Sequence, residues 1–358
     1  CWTAWAYRKR TSCWMISAAK LIVLRSFILC LALLALCACD RASPQTDLQG
    51  SALGTSFVVS VVGLSPDLDG DVLRQDILEV LGSLDELAST WRDDSELSAL
   101  NSALSIDWIS VSAPFCDLLE RSLEISRITN GAFDPTVGPL VNLWGFGPGG
   151  PVSEPPTDGD IVAAQHRVGF DLLEVDCKEQ LVRKDVPDAY VDLSGWAKGH
   201  AVDLVAALLE SRGVDNYMVE IGGELRIRGH NRKGRKWAIG IEAPSTSERV
   251  PHAIVHVTDT SVATSGDYRN YFEHGGERYS HTIDPRTGRP VTHSLAAVTV
   301  VDASAAIADA MATALLVLGP DAGPELAREL GIAAYFLVRD AGSIQEITTP
   351  DFDTLSTQ

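Results

Sequence analysis

Late in the chain, a run of small and apolar residues holds one acid and, four positions on, one alcohol: Ala306-Ile307-Ala308-Asp309-Ala310-Met311-Ala312-Thr313-Ala314-Leu315-Leu316. No other pattern constrains the fold as tightly. The run predicts a helix over about 304–318, and residues four apart on a helix stack on one face. Asp309 and Thr313 would therefore offer two hard oxygens to the same point. A carboxylate buried among alanines and leucines is costly unless something positive compensates it. A bound cation is the leading compensation. Mg2+ or Ca2+ is favoured over softer ions, because no Cys or second His accompanies the pair.

Met15 opens what reads as an export signal, with Lys20 and Arg25 as its positive end and 26–38 as an apolar core too short for a membrane span. The core ends in Leu36-Cys37-Ala38-Cys39, which resembles a bacterial lipobox with cleavage before Cys39 and lipid on its thiol. An ordinary signal peptide and an N-terminal anchor are the alternatives. Residues 1–14 precede the methionine, carry no targeting pattern and read as translated upstream sequence. The expected organisation is therefore upstream residues and leader over 1–38, lipidated Cys39 and a tether to 50, a catalytic domain over 51–345, and a tail over 346–358. Such a protein would sit on the membrane through its lipid, facing the periplasm or the extracytoplasmic side.

Without residues 1–38 the chain keeps 320 of its 358 residues, enough for a large core. Five basic residues and no acid leave with them, so the net charge moves from −19 to −24. A surface this acidic excludes nucleic acid as a partner and requires a local positive site for any anionic substrate. Of seven cysteines only Cys39, Cys116 and Cys177 remain, so one disulfide is open to the chain but a disulfide framework is not.

Hydrophobic periodicity predicts helices over 72–90 and 115–129, the second stopped by Asn130-Gly131, and another opening after Ser194. Strand-like runs stand at 56–62, 189–193, 217–221, 225–229, 237–242, 253–258, 296–302 and 333–338, and 145–160 reads as a Gly/Pro-rich loop. Helices and strands alternate irregularly, and several strands are joined by hairpin-like turns. The expected class is α+β, a largely antiparallel sheet core flanked by helices.

Several short segments carry chemical potential. In Asp192-Leu193-Ser194-Gly195-Trp196-Ala197-Lys198 a strand-like run enters a helix, so backbone N–H groups point at the turn. Lys198 lies one turn inside, where the helix dipole disfavours a cation unless an anion sits above it. A capped helix with a solvated Lys is the plain alternative. Gly131-Ala132-Phe133-Asp134-Pro135-Thr136 is a rigid corner presenting Asp134, and Gly222-Gly223-Glu224 reads as a hairpin turn needing positive φ. Thr264-Ser265-Gly266-Asp267 follows a strand, without the Gly-x-Ser-x-Gly frame of a nucleophile. His281, ahead of Ile283-Asp284-Pro285, is a candidate base, an anion donor or a buried structural imidazole. Trp91 ends a helix, placed for stacking on a planar ligand or for core packing.

Taken in order, these segments resemble the ApbE family of FAD:protein FMN transferases, once described as thiamine-biosynthesis lipoproteins. The markers are Leu53-Gly54-Thr55, Ser89-Thr90-Trp91 through Asn101, Gly131 through Thr136, Asp192 through Gly195 with Ala197-Lys198-Gly199, Gly222-Gly223-Glu224, Thr264 through Tyr268, His281 through Gly288, and Ala308-Asp309-Ala310 with Thr313. The resemblance implies a Mg2+-dependent cleavage of FAD that releases AMP and esterifies FMN to a Thr or Ser of a target protein, expected to be a subunit of a membrane redox complex. It implies Asp309 and Thr313 as metal ligands, with Gly195 lending its carbonyl. Leu53, Trp91, Ala132, Phe133, Asp134, Asp192, Lys198 and Ile283 would contact FAD. Lys198 would steady the phosphates, and His281, with Asp284 to orient or replace it, would take the acceptor's proton. Leu53 stands where the family more usually has Met, and Gly195 where it often has Ala or Thr. FAD hydrolysis to FMN and AMP, or passive flavin binding, are the competing readings.

Overall fold

The structure, a computed structural model, describes residues 42–244 and 250–356, so the leader, the lipobox and Cys39 lie outside the described residues. Its frame is a sheet of eight strands: β1 (Gln45–Ala52), β2 (Thr55–Val62), β3 (Tyr217–Ile221), β4 (Glu224–Arg228), β5 (Thr260–Gly266), β6 (Leu295–Asp302), β7 (Ala333–Asp340) and β8 (Ser343–Thr348). They lie side by side in chain order, each antiparallel to the next. The expected α+β class with a largely antiparallel sheet is what the chain adopts.

Both edges of the sheet fall where composition had suggested non-domain chain. Residues 45–50, expected as tether, belong to β1, which pairs along its whole length with β2 from Gln45↔Val62 to Ala52↔Thr55. Residues 346–348, expected as tail, belong to β8, and a short helix Pro350–Ser356 follows. Edge strands turn one side to water and are kept polar, so their composition imitates a linker. The strand-like run 189–193 is also corrected. It has no regular structure and pairs with no strand, because Asn101 occupies the backbone groups of Val191 that a neighbouring strand would use.

Five helices matter to the argument: α1 (Gly70–Ala88), α2 (Glu96–Ser102), α3 (Ala113–Ile128), α4 (Ser194–Ser211) and α5 (Ala305–Glu329). In α1, Leu73, Ile77, Leu81, Leu84 and Ala88 form one buried stripe, and the Asp69 side chain caps the first turn. The helices cover one face of the sheet. On the other face lies the hairpin Trp237–Glu242 with Pro251–Val257, carrying Ile239, Ile241 and Val255 inward. Covered on both sides, β6 is buried at every position from Leu295 to Val301, which is why its sequence is continuously apolar rather than alternating.

The last helix, α5, is long and apolar enough to cross a membrane, yet most of it is buried inside this fold. It breaks at Gly319, whose φ of 82° opens the kink before Pro320, close to where the sequence pattern ends it. Near its start α5 meets α4 at Gly199. A Cβ on Gly199 would stand 2.2 Å from the Ala305 carbonyl oxygen and 2.7 Å from the Ala306 Cα, so only glycine lets the two backbones touch there. Asp203, one turn along α4, accepts from the Ala305 and Ala306 N–H groups and the Ser304 hydroxyl, which locks the start of α5 to the same helix. A disulfide between Cys116 and Cys177 ties α3 to the end of the strand Leu173–Asp176.

Gly199→Ala is expected to lower stability by about 1–3 kcal/mol, the usual penalty of overpacking. A lowered urea midpoint would register it, and a wild-type midpoint would contradict the close crossing.

Candidate active site

Lys198 immediately precedes the contact glycine, so the crossing of α4 and α5 carries its ammonium to Asp309. Nζ lies 3.3 and 3.4 Å from the two Asp309 carboxylate oxygens and 3.3 Å from Glu224 Oε1. Asp309 also accepts the Gly199 N–H at 3.1 Å. Both acids are buried at 3 % exposure and share the ammonium of a lysine whose side chain is 35 % exposed. Burial pushes Glu224 up to about 8 against the pull of Lys198, with the Asp309 charge adding to the rise. Burial likewise raises Asp309, partly offset by Lys198 and by the Gly199 N–H. Lys198 is held above the ordinary lysine range: desolvation lowers it, but the Asp309 and Glu224 carboxylates outweigh that loss.

The Gly222-Gly223 turn makes room for this lysine. Both glycines have positive φ, and a Cβ on Gly222 would lie 3.1 Å from Thr55 Cγ2 and 3.3 Å from Lys198 Cδ. The turn between β1 and β2, where Leu53 and Gly54 both take positive φ, is thereby brought to the same end of the sheet. Thr313 shares a hydrogen bond of 3.0 Å with Ser265 of β5. The Cβ position of Gly195 is 3.7 Å from Thr313 Oγ1 and 3.2 Å from Phe133. Gly195, Lys198, Asp309, Thr313 and Phe133 therefore form one group, with Leu53 reaching it through Thr55.

Asp134 and Asp192 stand next to this group on two loops stitched together by the Asp192 N–H, which donates to the Pro135 carbonyl at 2.7 Å. Ala132 and Phe133 are buried at the foot of the first loop. Asp134 accepts from the N–H and the hydroxyl of Thr136 at 2.7 and 2.6 Å. Burial nevertheless pushes its carboxyl up to about 6. Asp192 caps α4 by accepting from the N–H and the hydroxyl of Ser194. Two residues without an assigned role hold its loop. Asn101 bonds Val191 through both backbone groups, at 2.9 and 2.7 Å. Lys184 donates to the Leu100 carbonyl at 3.1 Å and the Ala189 carbonyl at 3.4 Å from a fully buried position. Asn101 appears within a family marker, but a Lys in an Arg-Lys pair gives no sequence signal of burial.

His281 donates from Nδ1 to the Asn270 carbonyl at 3.0 Å, since a carbonyl can only accept. Nε2 is then the unprotonated nitrogen. Burial lowers its pKa against the Asn270 bond, and the Lys198 charge lowers it further, which favours the neutral ring. Asp284 forms a two-oxygen pair with Arg286 at 2.8 and 2.9 Å within the hairpin Ile283–Asp284/Arg289–Pro290. Ile283 packs into a cluster with Leu140, Trp144 and Ile161. Trp91 is 68 % exposed on the loop before α2.

No three His, Cys, Asp or Glu side chains among the described residues are grouped as a metal cage. The candidate ligands form a different set, a carboxylate, a hydroxyl and a carbonyl, all hard oxygens suited to an ion that keeps several waters. One contact fits that assignment. The Gly199 N–H, which in a regular helix donates to the Gly195 carbonyl, donates to Asp309 at 3.1 Å, so the two oxygens face the same N–H.

Comparison with known proteins shows the family. The model of the ApbE family matches residues 53–336. The FAD:protein FMN transferase of Vibrio cholerae is 40 % identical over 330 residues, covering 92 % of this chain and 98 % of that protein. That of Klebsiella pneumoniae is 42 % identical over 316 residues, covering 87 % and 90 %. The solved flavin transferase ApbE from Vibrio cholerae superposes with a TM-score of 0.81 at 39 % identity, covering 87 % of this chain and 99 % of that one. The apo flavinyl transferase ApbE from Pseudomonas stutzeri gives 0.81 at 40 %, covering 88 % and 98 %.

Because its native pKa of about 6 lies above the ordinary 3.8, Asp134 favours folding only while protonated. Its contribution is lost as pH rises from about 4 through 6. Asp134→Asn keeps an acceptor for both Thr136 bonds but not for the Phe170 N–H, and its stability relative to wild type should rise by up to about 3 kcal/mol across that window. Urea unfolding of both proteins from pH 4 to 7 measures the difference. A constant difference would contradict it.

Proposed function

The chain belongs to the ApbE family, and from that premise we propose that it is a Mg2+-dependent FAD:protein FMN transferase. It cleaves the FAD pyrophosphate, releases AMP and leaves FMN on a Thr or Ser of a target protein. The observation that carries this reading is the group of buried Asp309 with half-buried Thr313, Gly195 and Lys198 at the end of the sheet, a local site for a cation and an anion in a strongly acidic chain.

Asp309, Thr313 and the Gly195 carbonyl would hold Mg2+, which when bound neutralises pyrophosphate charge and stabilises the departing AMP. Lys198 adds a fixed positive charge for the same phosphates, held by Asp309 and Glu224. The loops of Phe133, Asp134 and Asp192 would bind and orient FAD. The acceptor hydroxyl attacks the FMN phosphorus, the anhydride P–O bond breaks, and AMP leaves with the bonding pair. His281, neutral with Nε2 unprotonated, takes the hydroxyl proton. Positioning and electrostatics supply most of phosphoryl transfer, which suits a preformed site of this kind.

The same geometry would serve a hydrolase that passes FMN to water, or bind flavin without turnover. Lys198 and Asp309 argue against passive binding, because a flavin held without reaction needs no buried cation site at its phosphates. Export and lipid anchoring at Cys39 remain part of this proposal. The Cys116–Cys177 disulfide supports them, because such bonds persist in oxidising compartments. A membrane redox subunit is the proposed acceptor.

Incubation with FAD, Mg2+ and a Thr-containing acceptor should give a covalent fluorescent flavin band in a denaturing gel, absent in excess chelator. Free FMN and AMP without a band would establish the hydrolase instead. Asp309→Ala should abolish the band. His281→Ala should keep FAD binding but slow transfer by roughly 100- to 10,000-fold, the usual worth of a positioned base; an unchanged rate removes His281 from the mechanism.

A further inference from the structure

Glu224 belongs to none of the candidate ligand sets, yet it is among the most deeply buried charged side chains at the site. Its Oε1 meets Lys198 at 3.3 Å, while its Oε2 is buried with no hydrogen-bond partner among the described residues. A buried carboxylate oxygen without a donor is costly. Asp309, by contrast, is over-subscribed. Both its oxygens face Lys198, one also takes the Gly199 N–H, and the proposed cation needs the same carboxylate.

We propose that Glu224 is a positioning residue that receives Lys198 when a divalent cation occupies Asp309, with Oε2 as the second acceptor kept ready for the ammonium. This rests on the metal-dependent reading above. In the structure Lys198 stands between the two acids at equal distance from each, 3.3 Å. A cation at Asp309 repels the ammonium and takes its carboxylate, and Glu224 is the one other acid in contact with Nζ among the described residues, the incoming ammonium favouring its ionised form. The Gly222-Gly223 turn leaves the lysine stem room to shift, since the nearest glycine carries no side chain against it. Glu224 thus keeps Lys198 at the site, pointed at the phosphates, rather than expelled by the metal. It also makes Asp309 available to the metal at lower cost.

Titration calorimetry of Mg2+ into the flavin-free full-length protein tests this without any turnover. Glu224→Gln preserves shape but removes the receiving charge, and should weaken Mg2+ by about tenfold, roughly 1.4 kcal/mol. Lys198→Met removes the competitor for Asp309 and should tighten Mg2+. In the Lys198→Met background, Glu224→Gln should lose most of its effect, because no ammonium remains to be received. Equal weakening in both backgrounds, or no weakening in the first, overturns the role of Glu224. Should Glu224→Gln fail to fold, Lys198→Met alone decides: unchanged or weaker Mg2+ binding overturns the exchange. Wild type that binds no Mg2+ but still flavinylates its acceptor would overturn the metal reading, and this inference with it. Wild type that binds Mg2+ while the variants behave equally overturns this inference alone.

Discussion

The contact between α4 and α5 at Gly199 organises everything chemical in this protein. Two helix backbones meet where a single Cβ would stand 2.2 Å from a carbonyl oxygen. That closeness puts Lys198 beside Asp309, although the two are 111 positions apart in sequence. Asp203 fastens the same two helices one turn further on, so the approach is held by hydrogen bonds as well as by packing. A longer distance would leave Asp309 buried without a counter-charge, a state costing several kcal/mol.

Around that contact the fold places its turns rather than its strands. The Leu53-Gly54 and Gly222-Gly223 turns meet at one end of the sheet, and the loops of Asp134 and Asp192 are bonded to each other beside α4. Functional groups gather at loops because loops can present backbone and side chains that the ladder would otherwise occupy. The sheet beneath is covered on both of its faces. The loop carrying Asp192 needs further support, being unpaired, and Asn101 and the buried Lys184 provide it.

The negative charge of the chain acquires its meaning from this arrangement. An acidic surface repels an anionic dinucleotide at long range, and salt screens that repulsion beyond about 10 Å. Inside the site the ledger reverses only through the ammonium of Lys198 and the cation proposed for Asp309. The two buried acids therefore hold positive charge where the phosphates are proposed to lie. Glu224 shows this most clearly, with one oxygen on the lysine and the other awaiting a donor.

Local pattern was enough to read several features from sequence. The α1 stripe, the apolar helix bearing Asp309 and Thr313, the paired glycines and the antiparallel class all follow from periodicity and backbone chemistry within a few residues. The family markers added the candidate ligands in order along the chain. What local pattern misjudged were segments whose state depends on a distant neighbour. Residues 45–50 look like a tether until β2 pairs with them, and 189–193 look like a strand until Asn101 takes the backbone groups of Val191. Asp284 was read as a partner for His281, but Arg286 beside it holds its carboxylate within the hairpin. Sequence by itself determined which residues carry charge, which faces are apolar and where the backbone must turn, because those are properties of neighbours in the chain. Only the tertiary structure decided that Lys198 serves two acids at once, since a pairing between separate helices and a strand is set by how closely their backbones can pack.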